Sequence, residues 1–232
     1  MKKHNTKPFY NPNFNNHYID GRHMIVSGST GRGKSSFAIN LLMQMADTFT
    51  KVIVACKLTN EAIYACLKEQ LKEACEIVSL KELPNLEELP DNGTQTLLIV
   101  DDFVAEKRQD KYENLALAGR KKGLMIVFLT QSYFKVSAAI RQNCGYIVLL
   151  ASGNKRNLND VINTIEIPVE PDTIKRVIKN ATKFQFNVCI IDPTNYDINK
   201  QFRRNFTVFY TLVDEHENEV EPNMFHTTGV IN

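Results

Sequence analysis

The 232-residue chain has no tryptophan, only five cysteines and no apolar run close to the length a bilayer requires. A helix needs about 20 consecutive apolar residues to cross the hydrocarbon core, so a membrane-spanning role is not expected. The opening segment, MKKHNTKPFYNPNFNNHYID, also lacks the apolar stretch of a secretory signal, and a soluble protein follows as the expectation. Cys56, Cys66, Cys75, Cys144 and Cys189 are scattered, with no C-x-x-C pair and no histidines at zinc-ligand spacing. That pattern speaks against a disulfide scaffold or a zinc module and for a reduced, intracellular setting. A basic excess is missing too: net charge is +2, so any contact with nucleic acid must come from local gatherings of cations. Lys107 and Arg108 form one such gathering, as do Arg120, Lys121 and Lys122, then Lys155 and Arg156, then Arg203 and Arg204. Each reads equally well as solvated surface.

What is present is the composition of an ordinary folded domain, 43% apolar and 23% charged, with no internal repeat. Residues 1–20 are rich in Asn, Pro and aromatics without periodicity and read as an irregular arm. Short apolar runs at 23–27, 51–56, 96–101, 124–130 and 145–151 read as buried strands. Between them, apolar residues at helical spacing predict helices over 34–47, 60–75, 110–121 and 134–143, with further helices at 156–164 and 171–180. Pro84, Pro90 and Asn92-Gly93 predict turns across 80–93. Strand-like runs recur at 185–191 and 206–212, and the polar tail 213–232 reads as loose. Strands that are apolar throughout, alternating with helices, predict an α/β domain over 21–212 with a mostly parallel central sheet and helices on both faces.

The segment Gly28-Ser29-Thr30-Gly31-Arg32-Gly33-Lys34-Ser35 matches G-x-x-x-x-G-K-[ST] at every fixed position. It follows an apolar strand and opens a helix, the context in which this pattern cradles phosphate. Glycines let the backbone amides turn inward, and the helix N-terminus presents its positive end to the same anion. Lys34 is placed to reach the β- and γ-phosphates, the Ser35 hydroxyl to ligate Mg²⁺, and Ser36 to extend the cradle. A nucleoside triphosphate and Mg²⁺ are therefore the expected ligands.

The strand at 96–101 ends in Asp101-Asp102. In a P-loop hydrolase such an acidic strand end holds magnesium and activates the attacking water; Asp101 is assigned to the metal and Asp102 to the water. Roughly sixty residues and an extra strand separate it from the first helix, unlike simple kinases, whose acidic strand neighbours the phosphate-loop strand. In the other large division of these proteins a strand lies between the two and carries a polar tip. Strand 124–130, ending in Thr130-Gln131, fits that place, with Gln131 as the sensor. The expected class is thus that other division, the ASCE P-loop NTPases.

The segment GRKKGLMIVFLTQSYFKVSAAIRQNCGYIVLL resembles genome-packaging ATPases of the FtsK–HerA type, those of large nucleocytoplasmic DNA viruses, virophages and Polinton-like elements. G-R-x-x-G, T-Q-S-Y-F and I-R-x-N carry the resemblance, with IDPTNYDINKQFRRNF at 191–206 adding to it, and it spans about residues 17–210. It implies a RecA-like core in a homo-oligomeric ring, a pentamer or hexamer, with ATP between subunits, and no N/T-K-x-D segment for reading guanine appears. Double-stranded DNA would be driven by its backbone, without regard to sequence, into a preformed capsid at a capsid or portal-vertex protein in the host cytoplasm. It also implies an arginine offered to the neighbouring subunit's γ-phosphate: Arg120 first, Arg141 second. The Asp-Asp pair departs from the family's Asp-Glu, leaving either a tighter site or help from Glu106. A helicase or conjugation-type DNA pump, and a nucleotide-switched capsid-assembly protein with slow hydrolysis, stand beside this reading.

Overall fold

The computed structural model describes residues 19–45, 48–89, 95–106, 108–151, 155–212 and 222–223. The expected arm at 1–20 lies outside them but for Ile19 and Asp20, as does the tail at 213–232 but for Pro222 and Asn223. Among the described residues ten strands form one sheet. In chain order they are β1 (His23–Ser27), β2 (Lys51–Cys56), β3 (Cys75–Ser79), β4 (Thr96–Asp101), β5 (Leu124–Thr130) and β6 (Cys144–Leu150), then β7 (Val188–Ile191), β8 (Phe202–Arg204), β9 (Val208–Tyr210) and β10 (Pro222–Asn223). The helices are α1 (Lys34–Gln44), α2 (Ala62–Leu71), α3 (Asp110–Ala118), α4 (Ala138–Asn143), α5 (Lys155–Ile162) and α6 (Pro171–Ala181).

Across the sheet the order is β3-β2-β4-β5-β1-β6-β7-β8-β9-β10. Pairs from β3 to β6 are all parallel, which forces each connection to cross a face of the sheet and explains the α/β alternation. Side chains alternate between the two faces. Ile25, Ile53, Leu98, Ile126 and Ile147 pack with α3 to α6, while Met24, Val54, Ile99 and Val127 pack with α1 and α2. Because both faces are covered, the strands are apolar throughout rather than in alternation.

Four pairings, from β6 through β10, are antiparallel, so the sheet is mixed beyond its parallel block. Only residues 205–207 join β8 to β9, and so short a link cannot make a parallel crossover. Arg22, just before β1, ties this extension to the core: its two Nη atoms donate to the Asp192 carboxylate at 2.9 and 2.8 Å, and Nη2 also donates to the Tyr146 hydroxyl at 2.6 Å. A Cβ on Gly145 would lie 2.6 Å from the Arg22 Cδ, so only glycine admits this crossing.

Several sequence expectations shift. The helix expected over 60–75 stops at Leu71; Lys72 takes a positive φ of 51°, a 3₁₀ turn spans Lys72–Ala74, and β3 follows. That edge strand escaped notice because it is short and carries Glu76, which pairs with Lys51 at 2.8 Å. The helices expected over 110–121 and 134–143 each divide into a short 3₁₀ turn and the α-helix proper, and α4 is capped by the Ser137 hydroxyl accepting from the Ile140 amide. All five cysteines are free, with Cys56, Cys75 and Cys189 buried. Among the described residues no helix is long and apolar enough to cross a membrane.

His23 at the foot of β1 is fully buried, and its Nδ1 accepts from the Ile126 amide at 3.0 Å. Burial first, then the Arg120 guanidinium, holds its imidazole down at about 3, from an ordinary 6.5. Below pH 6.5 the unfolded chain binds a proton that the native state refuses, so stability falls as pH drops from 6.5 toward 3. Two-state urea unfolding at pH 7 and pH 5 should show a loss of about 2 kcal/mol from this group. His23→Val, though less stable at both values, should flatten that slope; an equal slope in both proteins would contradict the assignment.

Candidate active site

The parallel block places the C-terminal ends of β1, β4 and β5 side by side, with β5 between the other two. Each strand ends in a polar residue, so the phosphate loop, Asp101-Asp102 and Gln131 meet on one edge. The loop is pinned from below, the Gly28 amide donating to the Thr130 carbonyl at 3.1 Å. A Cβ on Gly28 would come within 2.8 Å of the Leu150 Cβ. Gly33 caps α1 with φ 92°, a conformation that costs glycine little and other residues much, and it leaves the first amides of α1 facing outward.

These elements enclose a cavity of about 350 Å³. Thr30, Gly31, Gly33, Lys34, Ser35 and Ser36 line it from the loop and α1, and Asp101, Asp102 and Gln131 line it from the neighbouring strand ends. Gly28, Ser29 and Arg32 shape the loop without lining the cavity. The Lys34 ammonium donates to the Ser29 carbonyl at 3.3 Å, which keeps it folded over the loop. The Ser35 hydroxyl donates to the Asp101 carboxylate at 3.3 Å, and the Gln131 amide donates to Asp102 at 3.4 Å. Asp102 has a left-handed backbone (φ 56°), tolerated by aspartate better than by most residues; it turns the second carboxylate from the strand line toward Gln131.

Three side chains that sequence reasoning passed over belong to this site. The Tyr64 hydroxyl, buried in α2, donates to the same Asp101 oxygen as Ser35, at 2.6 Å. Burial pushes the Asp101 carboxyl above its usual range, and the Tyr64 hydrogen bond draws it back. The Tyr64 phenol is itself pushed up, first by burial and then by the Asp101 charge, so it stays a hydrogen-bond donor. Glu61, beside the end of β2, lines the cavity; it caps α2 by position but makes no side-chain capping bond. Burial, then Asp101 and Asp102, raise its carboxyl. Phe186 lines the cavity from the turn before β7. Glu61 follows β2, and β2 neighbours β4, but a single sequence does not state that adjacency. Glu106, the expected helper of Asp102, is exposed and does not line the cavity, so that expectation is withdrawn.

Neither expected arginine reaches this cavity in its own chain. Arg120 is exposed in the 3₁₀ turn before β5, at the opposite edge of the sheet. Arg141, on α4, donates to the Phe134 carbonyl at 3.4 Å and lies 5.5 Å from the Tyr133 ring centre, bracing the segment after Gln131. Of the basic gatherings, Arg203 is 2% exposed against the Tyr146 and Phe209 rings and is unavailable to DNA. Lys121 and Lys122 precede β5, and Lys122 donates to the Leu89 carbonyl at 3.2 Å, far from the strand ends. Arg108 is exposed on the phosphate side, Lys155 and Arg156 open α5, and Lys107 lies outside the described residues.

A strand inserted between the phosphate-loop and acidic strands, with a polar tip on it, defines a RecA-like ASCE P-loop NTPase. The family model described as Poxvirus A32 protein matches residues 8–225; the chain belongs to that family and is an ATPase of the FtsK–HerA superfamily. Among solved structures, B204, the DNA-packaging ATPase from Sulfolobus Turreted Icosahedral Virus, shares the fold at a TM-score of 0.55 and 17% identity, over 80% of this chain and 97% of that one. B204 from Sulfolobus turreted icosahedral virus 2, a genome packaging NTPase in complex with ATP-gammaS, gives 0.56 and 15%, over 80% and 97%. EssC (ATPases 2 and 3) from Geobacillus thermodenitrificans gives 0.51 and 13%, over 74% of this chain and 38% of that one. No curated protein matches the sequence.

Proposed function

We propose that the chain is a motor that hydrolyses ATP to drive double-stranded DNA into a preformed viral capsid, working as a ring of its own copies. The observation that carries this reading is the meeting of Lys34, Ser35, Asp101, Asp102 and Gln131 around one cavity at three neighbouring strand ends. The resemblance of TQSYF and IRQN to packaging ATPases, and the shared fold with B204, a DNA-packaging ATPase, support the choice of DNA as the cargo.

In this reading the loop amides and Lys34 hold the β- and γ-phosphates, and Lys34 leaves the Ser29 carbonyl to do so. Two hard oxygen donors, Ser35 Oγ and an Asp101 carboxylate oxygen, stand 3.3 Å apart at the base of the cavity and fit Mg²⁺, which prefers few protein ligands beside phosphate and water. When bound, the ion neutralises phosphate charge. Tyr64 fixes the Asp101 rotamer from behind. Asp102 accepts a proton from the attacking water, and Gln131, already bonded to Asp102, orients that water and registers the γ-phosphate. Since Arg120 stands exposed at the far edge, it serves a neighbouring subunit, while Arg141 braces the Gln131 segment.

A motor couples turnover to its track, whereas a nucleotide switch does not. ATPase turnover of purified protein should rise several-fold with linear duplex DNA and fall back at high salt, because the contacts are to phosphates. A DNA-independent rate near zero would favour the assembly switch. Dependence of DNA uptake on capsids separates packaging from a conjugation-type pump.

A further inference from the structure

A second cavity, of about 560 Å³, opens beside the phosphate cavity along α1, and the two share Gly33, Ser36 and Phe186. Its floor is apolar: Phe37 and Phe206 stack with ring centres 5.3 Å apart and planes 11° apart, and Val188 adds to it. Volumes between about 300 and 1,000 Å³ with apolar linings are typical of small-molecule sites. Phe186 forms the shared rim, its Cδ1 3.1 Å from where a Cβ on Gly33 would stand.

Phe186 is held there at a cost. It is the third residue of the turn closed by the Asn187 amide donating to the Phe184 carbonyl at 3.2 Å, and its φ is 66°. That place in a turn favours glycine or asparagine, and for a bulky side chain a positive φ is a genuine outlier. Core packing does not repay the strain, since the ring is 62% exposed. The turn is instead fixed from outside. Asn205 accepts from the Val188 amide through its side chain at 3.1 Å, donates from its own amide to the Val188 carbonyl at 2.9 Å, and meets Asn187 at 3.3 Å. Strain that surrounding structure over-determines is characteristic of ligand clamps.

We infer that this second cavity is a base site, in which the exposed ring of Phe186 stacks on the purine of the nucleotide whose phosphates the loop holds. The inference rests on the nucleotide reading above and adds the residue that gives the nucleoside its share of affinity. A purine offers a flat π-face, and an exposed aromatic ring at the junction of phosphate cavity and apolar floor is placed to cover it. Asn205 is held by the Val188 backbone and the Asn187 side chain, Asn40 and Gln44 line the polar side of the cavity, and stacking on Phe186 should favour the larger purine face as a class over pyrimidines.

Calorimetric titration of the full chain with two Mg²⁺-loaded ligands tests this. One is a non-hydrolysable ATP analogue; the other is inorganic tripolyphosphate, which has the phosphates and no base. Phe186→Ala should weaken the ATP analogue on the order of tenfold and leave tripolyphosphate within about twofold, while Phe186→Trp should keep analogue affinity. Equal weakening of both ligands by Phe186→Ala would overturn the proposal, because Phe186 would then merely prop the phosphate loop. So would unchanged analogue affinity. A wild-type protein that binds neither ligand would sink the nucleotide reading itself, and the base site with it.

Discussion

Replacing Lys34 by alanine is expected to lower ATP turnover by roughly a thousandfold or more while leaving the fold intact. Removal of one preorganised donor aimed at developing charge typically costs a factor of 10² to 10³, and Lys34 carries a full charge into a cavity that otherwise holds Asp101, Asp102 and Glu61. Among the described residues its ammonium bonds the Ser29 carbonyl of its own loop, so its loss removes little that holds α1 to the sheet. That packing comes from Phe37, Ala38 and Leu41. The variant's unfolding midpoint should stay within a few degrees of wild type. Full activity in it would contradict the phosphate-loop assignment, and a collapse of the fold would mean that the ammonium is chiefly structural.

The second large effect concerns two of the three carboxylates in the cavity, Asp102 and Glu61. Asp102→Asn should lower kcat by about 10² to 10³ with KM little changed, the range for loss of a general base. Asparagine is the informative replacement because it also tolerates a positive φ, which keeps the backbone turn at 102, and its size is the same. Glu61→Gln should cost less than about tenfold, since Glu61 reaches the cavity from the β2 side and, among the described residues, no side chain fixes its geometry as Gln131 does for Asp102. The comparison is decisive in order rather than in absolute size. If Glu61→Gln silences the enzyme and Asp102→Asn does not, the proton acceptor is Glu61, and Asp102 acts only to place Gln131.

The parts of this site that are contiguous in sequence were legible there. The phosphate loop is eight consecutive residues between a strand and a helix, and its glycine geometry follows from the pattern alone. Asp101-Asp102 and Gln131 could be placed because each ends an apolar run, and a parallel sheet brings strand ends to one edge. Glu61 and Tyr64 were not legible, since their importance depends on β2 lying next to β4, a matter of strand order rather than of spacing. Phe186 was hidden for a different reason: its signal is a backbone angle and an exposed side chain, and a phenylalanine inside the strand-like run 185–191 suggests core. The antiparallel extension carried a sequence signal in the short link between β8 and β9, but β8 is only three residues long and did not stand out. The burial of Arg203 was not legible either, because a guanidinium packed between aromatics looks the same in sequence as a solvated one.

The central claim is that nucleotide splitting at this edge of the sheet moves DNA. The most direct measurement is displacement of a third strand annealed to linear duplex DNA, followed over time with purified protein, Mg²⁺ and ATP. The account predicts displacement that requires hydrolysable ATP, is absent with Lys34→Ala, and is indifferent to duplex sequence. ATP hydrolysis proceeding at a normal rate while the third strand stays in place would contradict it.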